Sequence, residues 1–249
     1  MSILFSPIGT ADPLTQLGDG PMLHIIRHYR PERVVLFLSP KMAEYQEQDQ
    51  RYTKAIELLS AECHGGDVPT IELVKSNTTD VYKFDVYISE FEQKLNELDK
   101  ENGGDTILVN ASSGTPAMEE ALVALSAFGR LNLTPLQVST PRKGPNKKED
   151  RENPRDYDLD LLWACNPDNE EGHPCRILEV KTPNFSDRLL LENIRVLVAR
   201  YNYVAAASLA EQTRTISSDA RKMIEATVDR LNLNGQKSAQ VFARSDMAY

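Results

Sequence analysis

Ile8-Gly9-Thr10-Ala11-Asp12-Pro13 and Asn110-Ala111-Ser112-Ser113-Gly114-Thr115-Pro116 are two short loops with the same placement. Each follows an apolar run that reads as a strand, residues 2–8 and 106–110, and the second opens a helix. Both therefore lie at carboxyl ends of strands. In an open, doubly wound sheet, ligands bind in the crevice outside those ends, where strand order reverses. In the commonest order that crevice lies between the first and fourth strands. The two loops follow the first and fourth strands of this chain, which points to one site built from both.

Around these loops, strand and helix alternate. Helical spacing runs from about 15 to 29, with Gly18, Gly20 and Pro21 interrupting its start and Pro31 marking its end. Val34-Val35-Leu36-Phe37-Leu38 is continuously apolar, as in a parallel strand covered on both faces. Ser39-Pro40 opens a long helix, about 41–63, and 70–74 is a third strand. A helix over 81–100, broken by Gly103-Gly104, leads to the fourth strand. A helix over 116–129 and a fifth strand over 136–139 complete the alternation, which predicts a parallel sheet with helices on both faces. Beyond Thr140 comes a polar, Pro-rich stretch over 141–156. Two strand-like runs, 157–163 and 175–180, then flank a polar turn and read as a hairpin. Residues 185–200, 202–213 and 217–232 are helical in pattern. The expected fold is α/β, Rossmann-like, with an appended β-hairpin, over residues 1–182, and an all-α segment over 183–249.

The 249 residues are 41% hydrophobic, enough for a sizeable core, and carry a net charge of -9, which argues against a long nucleic acid such as DNA as partner. Three cysteines make no disulfide framework, and Met1-Ser2-Ile3-Leu4-Phe5 is too short an apolar run for a signal peptide. No apolar run is long enough to span a membrane. The expectation is a cytoplasmic protein.

The second loop has the composition of an anion site. Thr115 stands at a helix N-cap and Pro116 at the first helical position. First-turn N–H groups attract anions, and Gly114 permits close backbone approach. A capped helix start needs one hydroxyl; Ser112, Ser113 and Thr115 supply three. The first loop has a single glycine, so it is not the Gly-X-Gly-X-X-Gly dinucleotide fingerprint. Asp12 caps a helix or accepts from a ribose hydroxyl or base amine. Thr10 offers a hydroxyl to a phosphate or a ribose. Read alone, the first loop is equally an ordinary tight turn.

A strand ending in Gly-Thr-X-Asp-Pro, paired with one ending in Asn-X-Ser-Ser-Gly-Thr-Pro-X-Met, resembles the CARF domain (CRISPR-associated Rossmann fold) of type III-A CRISPR accessory ribonucleases. The resemblance covers about residues 1–180. The segment from Asn184-Phe185-Ser186-Asp187-Arg188 resembles the six-helix linker of the same ribonucleases. It implies a homodimer whose joint pocket binds a cyclic oligoadenylate, cyclic hexaadenylate more than cyclic tetraadenylate, and switches on a C-terminal HEPN ribonuclease. It also implies slow, self-limiting ring cleavage. Carried over by motif, Gly9, Thr10, Asp12, Asn110, Ser112, Ser113, Gly114, Thr115 and Met118 are ligand-site candidates. Ser39, Lys41 and Met42, after the second strand, are candidates for lining adenine pockets.

Ring cleavage needs only in-line attack of a ribose 2′-hydroxyl on the adjacent phosphate, with no metal and no cofactor. Thr10, Ser113 and Thr115 are the expected positioning residues. Neither motif holds His or Lys, and forgoing general acid–base help costs roughly 10²–10⁴-fold in rate. The HEPN site needs Arg-X4–6-His, whereas the histidines here are His24, His28, His64 and His173. The helical tail therefore carries no such site, and the chain reads as the sensor part of a longer enzyme.

Two other readings stay open: a non-catalytic CARF module that regulates another effector, and an unrelated Rossmann-like nucleotide enzyme. The first is opposed by the lack of a helix-turn-helix tail. The second is opposed by the missing glycine fingerprint and by the absence of an acidic residue at the second strand end. Arg142, Lys143, Lys147, Lys148, Arg151 and Arg155 form a basic cluster that reads as a phosphate-attracting rim or as a solvated loop. Cys165, His173 and Cys175 lack a fourth ligand and conventional spacing for zinc.

Overall fold

The structure, a computed structural model, describes residues 2–78, 80–128, 130–139, 157–181, 183–213 and 216–232. Its contacts divide the chain into two units, Met1–Lys181 and Thr182–Tyr249.

Unit one is built on a sheet of strands β1 (Ile3–Pro7), β4 (Arg33–Leu38), β5 (Thr70–Lys75), β6 (Ile107–Asn110), β7 (Leu133–Val138) and β8 (Ile177–Glu179). A two-stranded antiparallel ribbon, β2 (Leu14–Thr15) with β3 (Gly18–Asp19), stands apart from it. The sheet order is β5-β4-β1-β6-β7-β8, parallel except for β8. Ile3 pairs with both Arg33 and Ile107, so β1 is central and strand order reverses between β1 and β6.

Alternation along the strands feeds two cores. Leu4, Val34, Leu36 and Leu38 pack with residues of α1 (Pro21–Tyr29), α2 (Pro40–Asp49), α3 (Arg51–Cys63) and α6 (Leu159–Ala164). Ile3, Phe5, Val35 and Phe37 pack with α4 (Phe84–Glu101) and α5 (Pro116–Ala127). The second core is knit by aromatic pairs, with Phe5 and Phe37 both edge-on to Phe91 at 5.2 and 4.9 Å.

Three local expectations are corrected. The helix expected from 15 starts at Pro21, because 14–19 form the ribbon, with Gly18 at φ +122 and the Asp19 N–H donating to Asp168 Oδ2 at 2.7 Å. The helix expected over 41–63 breaks at Gln50, which takes φ +60. The hairpin expected from 157–163 and 175–180 does not form. Residues 159–164 are helix α6: Asp158 caps it by accepting from Leu161 N–H at 3.0 Å, and Leu159, Leu162 and Trp163 reach the core at helical spacing. The second run supplies β8, which pairs with β7, Val138 opposite Ile177.

Unit two comprises α7 (Pro183–Ala199), α8 (Tyr203–Gln212) and α9 (Ser218–Leu231). Ile194, Ala206 and Ala210 are buried among Leu197, Val198, Leu209, Ile216 and Ile224. Asn202 and Ser217 cap α8 and α9 by accepting from the N–H groups of Ala205 and Ala220. Among the described residues, no helix is long and apolar enough to cross a membrane.

Candidate ligand site at the reversal of strand order

The loop after β1 and the loop after β6 meet at the reversal point, and they meet through backbone. A Cβ on Gly9 would lie 2.7 Å from the Gly114 nitrogen. Gly114 itself has φ +101, and a Cβ there would lie 2.7 Å from Met118 Sδ and 3.1 Å from Pro7 Cβ. Both glycines are required by close approach, and Gly114 also by its backbone conformation.

Asp12 organises the first loop from inside. It is 4% exposed. Its Oδ2 accepts from Gly9 N–H and its Oδ1 from Met22 N–H, each at 3.0 Å. Met22 lies in the first turn of α1, whose N-cap is Gly20 and has no side-chain acceptor. The Asp12 carboxylate therefore satisfies a helix-end donor that would otherwise be orphaned. Burial pushes its carboxyl up to about 6, against the opposing pull of the bonds from Gly9, Met22 and Ser113. The Ser113 hydroxyl is buried beside this carboxylate without a well-aligned hydrogen bond of its own.

The second loop is braced by its polar side chains. Asn110 is fully buried; its Nδ2 donates to Ser6 Oγ at 2.9 Å and its Oδ1 accepts from Ser112 N–H at 3.0 Å. That pair ties the ends of β1 and β6 together. Ser112 Oγ accepts from Val138 N–H at 2.8 Å, which ties the loop to β7. Thr115 is the N-cap residue of α5, but its Oγ1 donates to Val81 O at 2.7 Å and makes no cap bond. The first turn of α5 thus has no side-chain cap from Thr115.

The remaining candidates divide by exposure. Thr10 and Lys41 are exposed, and Gly9, Gly114 and Thr115 are half-buried. The Lys41 ammonium lies 5.8 Å from the Tyr45 ring centroid. Ser39 is buried at the N-cap of α2. Met42 is buried and its sulfur accepts from Tyr52 OH at 3.2 Å, while Met118 lies in the core under Gly114. The basic cluster Arg142, Lys143, Lys147, Lys148, Arg151 and Arg155 lies outside the described residues.

Two contributors near the loops carry no motif. Tyr157 OH bonds both the N–H and the carbonyl of Leu14, each at 3.2 Å, two residues beyond Asp12. The Arg51 guanidinium sits over the rings of Tyr45 and Tyr157, at 4.6 and 4.3 Å. This stack fixes the chain at residue 157 against α2, α3 and β2. No sequence spacing points to it, because Tyr157 lies more than 100 residues from its partners.

Comparison with known proteins agrees with this architecture. Residues 70–177 match the family described as the Cas_Csm6 CARF domain, and residues 180–231 match the CRISPR-associated protein Csm6 6H domain. The chain is 42% identical over 247 residues to the CRISPR system endoribonuclease Csm6 of Mycobacterium tuberculosis, covering 99% of this chain and 58% of the relative. It is 30% identical over 244 residues to the Csm6 of Enterococcus italicus, covering 94% and 54%. The solved structure of Enterococcus italicus Csm6 bound to cyclic hexa-2′-fluoro-hexa-dAMP superposes with a TM-score of 0.69 at 27% identity, covering 94% of this chain and 56% of that one. The chain thus spans a little over half the length of these relatives. It belongs to the Csm6 family, of which it carries the CARF and 6H domains.

Proposed function

We propose that this chain is the cyclic-oligoadenylate sensor of a type III-A CRISPR ribonuclease, that it takes the six-membered ring in preference to the four-membered one, and that it cleaves the bound ring slowly without a metal. The observation that carries the reading is the backbone contact of Gly9 with Gly114, which brings the exposed Thr10 and the start of α5 to one point at the reversal of strand order. Supporting it is the Enterococcus italicus relative, which binds a cyclic hexanucleotide analogue.

In this reading Gly9, Thr10, Gly114 and Thr115 face the ring phosphates and riboses, with Lys41 at the rim. Asp12, Asn110, Ser112 and Ser113 act one layer beneath, holding the loops in shape. A homodimer suits the ligand, since a symmetric ring presents like nucleotides to two copies of one loop. Cleavage forms a bond from the ribose 2′-oxygen to the neighbouring phosphorus and breaks the bond to the 5′-oxygen. The proton passes from the 2′-hydroxyl through solvent to the leaving 5′-oxygen, and the product ends in a 2′,3′-cyclic phosphate. The loops contribute attack geometry and stabilisation of charge on the phosphoryl oxygens. In this reading the chain senses the ring rather than cuts RNA, because no histidine follows His173 to complete an Arg-X4–6-His motif in the helical segment.

A second reading, a sensor that does not cleave, draws on the inward-facing hydroxyls: Ser113 is buried and Thr115 donates to Val81 O. Incubation with cyclic tetra- and hexaadenylate in EDTA, followed by mass spectrometry, separates the two. Slow products ending in 2′,3′-cyclic phosphate, lost in Thr10→Ala, support cleavage. Intact ring with tight binding leaves the sensor alone. No binding of either ring refutes the proposal.

A further inference from the structure

Cys175 stands exposed just before β8, and α1 faces it with His24 and His28, one helical turn apart. One ligand atom from each of the three lies within 4.8 Å of the others. The two imidazole rings meet edge to face with centroids 4.6 Å apart. We propose that His24, His28 and Cys175 form a zinc site, with two imidazole nitrogens and one thiolate as ligands and water in the fourth position.

Three observations carry this. The donor set, two imidazoles and a thiolate, is one zinc prefers in tetrahedral geometry. Bond lengths of about 2.0–2.3 Å to such ligands place the donor atoms roughly 3.3–3.8 Å apart. The exposed side chains of His28 and Cys175 need close by only about an ångström to reach that spacing. Histidines four residues apart share one face of a helix, so α1 presents both on the same side. Finally, His24 is fixed in orientation. It is fully buried; its Nδ1 lies 3.2 Å from the Arg176 Nη2, with Asp19 Oδ2 at 3.6 Å and Asp168 Oδ1 at 3.7 Å completing its polar surroundings. The other nitrogen, Nε2, accepts the Arg176 N–H at 3.0 Å, so its lone pair points toward the segment that carries Cys175. Zinc would take that lone pair in place of the Arg176 N–H.

The carboxylates themselves are not the site. Asp19 pairs with Arg27 at 2.6 Å and Asp168 with Arg176 at 2.8 Å, so their charge is already met. Binding releases the Cys175 thiol proton to solvent and leaves the ion bridging α1 to β8. Because Asp12 anchors the first turn of α1, the ion braces the helix behind the first loop without entering the chemistry at the loops. The inference stands apart from the proposed ring binding.

Co2+ serves as the spectroscopic probe, added to the full chain carrying Cys63→Ser and Cys165→Ser so that Cys175 is its single thiol. The expected result is one Co2+ per chain, with a thiolate-to-cobalt charge-transfer band and intense visible bands of tetrahedral cobalt. Zn2+ should bleach these bands and raise the melting temperature. Adding Cys175→Ser or His28→Ala, both at exposed positions and checked for folding by circular dichroism, should abolish the bands and the Zn2+ effect. Absence of the thiolate band in the parent, or its survival in either variant, overturns the proposal.

Discussion

Replacing Asp12 with Asn tests the internal support of the first loop, and its effect reverses with pH. In the folded chain burial pushes the Asp12 carboxyl from the ordinary 3.8 up to about 6. Between those values the folded state binds more protons than the unfolded state, so stability falls as pH rises. The difference is about two pH units, and at about 1.4 kcal/mol each it makes about 3 kcal/mol. That contribution is complete below the unfolded value and is lost as pH passes through about 6. The amide of the Asp12→Asn variant would carry no such dependence. It would also keep only one of the two backbone bonds, because its single oxygen cannot accept from both Gly9 and Met22 while its NH2 meets a donor. Leaving that donor unpaired costs about 1–3 kcal/mol at any pH. Near pH 4 the variant should therefore be the less stable by about 1–3 kcal/mol. Near pH 7 the gap should close or change sign. Urea unfolding followed by circular dichroism at intervals across this range measures the gap directly. A gap that stays constant from acid to neutral pH would refute a buried carboxyl titrating there.

Gly9→Ala places a methyl group 2.7 Å from the Gly114 nitrogen, so it should destabilise unit one by about 1–3 kcal/mol and weaken ring binding more than it lowers the melting temperature, as thermal scans and ligand titrations on one preparation would show. Asp19 behaves oppositely to Asp12: although burial raises its carboxyl, bonds from His24, Arg27 and Asn166 bring it down to about 2, so the stability it confers is lost as pH falls from about 4 through 2, and Arg27→Met should move that loss to higher pH in acid-unfolding curves. Tyr157→Phe deletes two bonds to the Leu14 backbone but keeps the ring against Arg51, so a loss of about 1–3 kcal/mol is expected in urea unfolding, with greater hydrogen exchange at Leu14.

The alternation of strands and helices was legible because strands buried on both faces are continuously apolar, as at Val34–Leu38, and because the two loop motifs follow the strands on either side of the reversal. What failed depended on distant partners. Residues 14–20 have helical spacing, but Asp168 captures the Asp19 N–H from 149 residues away and the ribbon forms instead. The alternation Tyr157-Asp-Leu-Asp-Leu-Leu-Trp163 mimics a strand, yet the Asp158 cap and the burial of Leu159, Leu162 and Trp163 select a helix. At the site, the sequence named the hydroxyls but not their directions. Ser112 and Thr115 spend theirs on Val138 and Val81, which no spacing rule connects to the loop. The grouping of His24 and His28 with Cys175 was equally hidden, since it spans the whole unit; the nearer trio of Cys165, His173 and Cys175 drew attention instead, while His173 Nδ1 lies 2.5 Å from Asp168 Oδ1.

Calorimetric titration of cyclic hexaadenylate into the purified chain, with linear hexaadenylate and cyclic tetraadenylate as controls, asks whether the joined loops receive a cyclic oligoadenylate. One cyclic hexaadenylate should bind per two chains, with weaker binding of the smaller ring and of the linear strand, and loss of affinity in Gly9→Ala. Heat that is absent for both rings, or binding that Gly9→Ala leaves unchanged, would rule out a ring site at these loops.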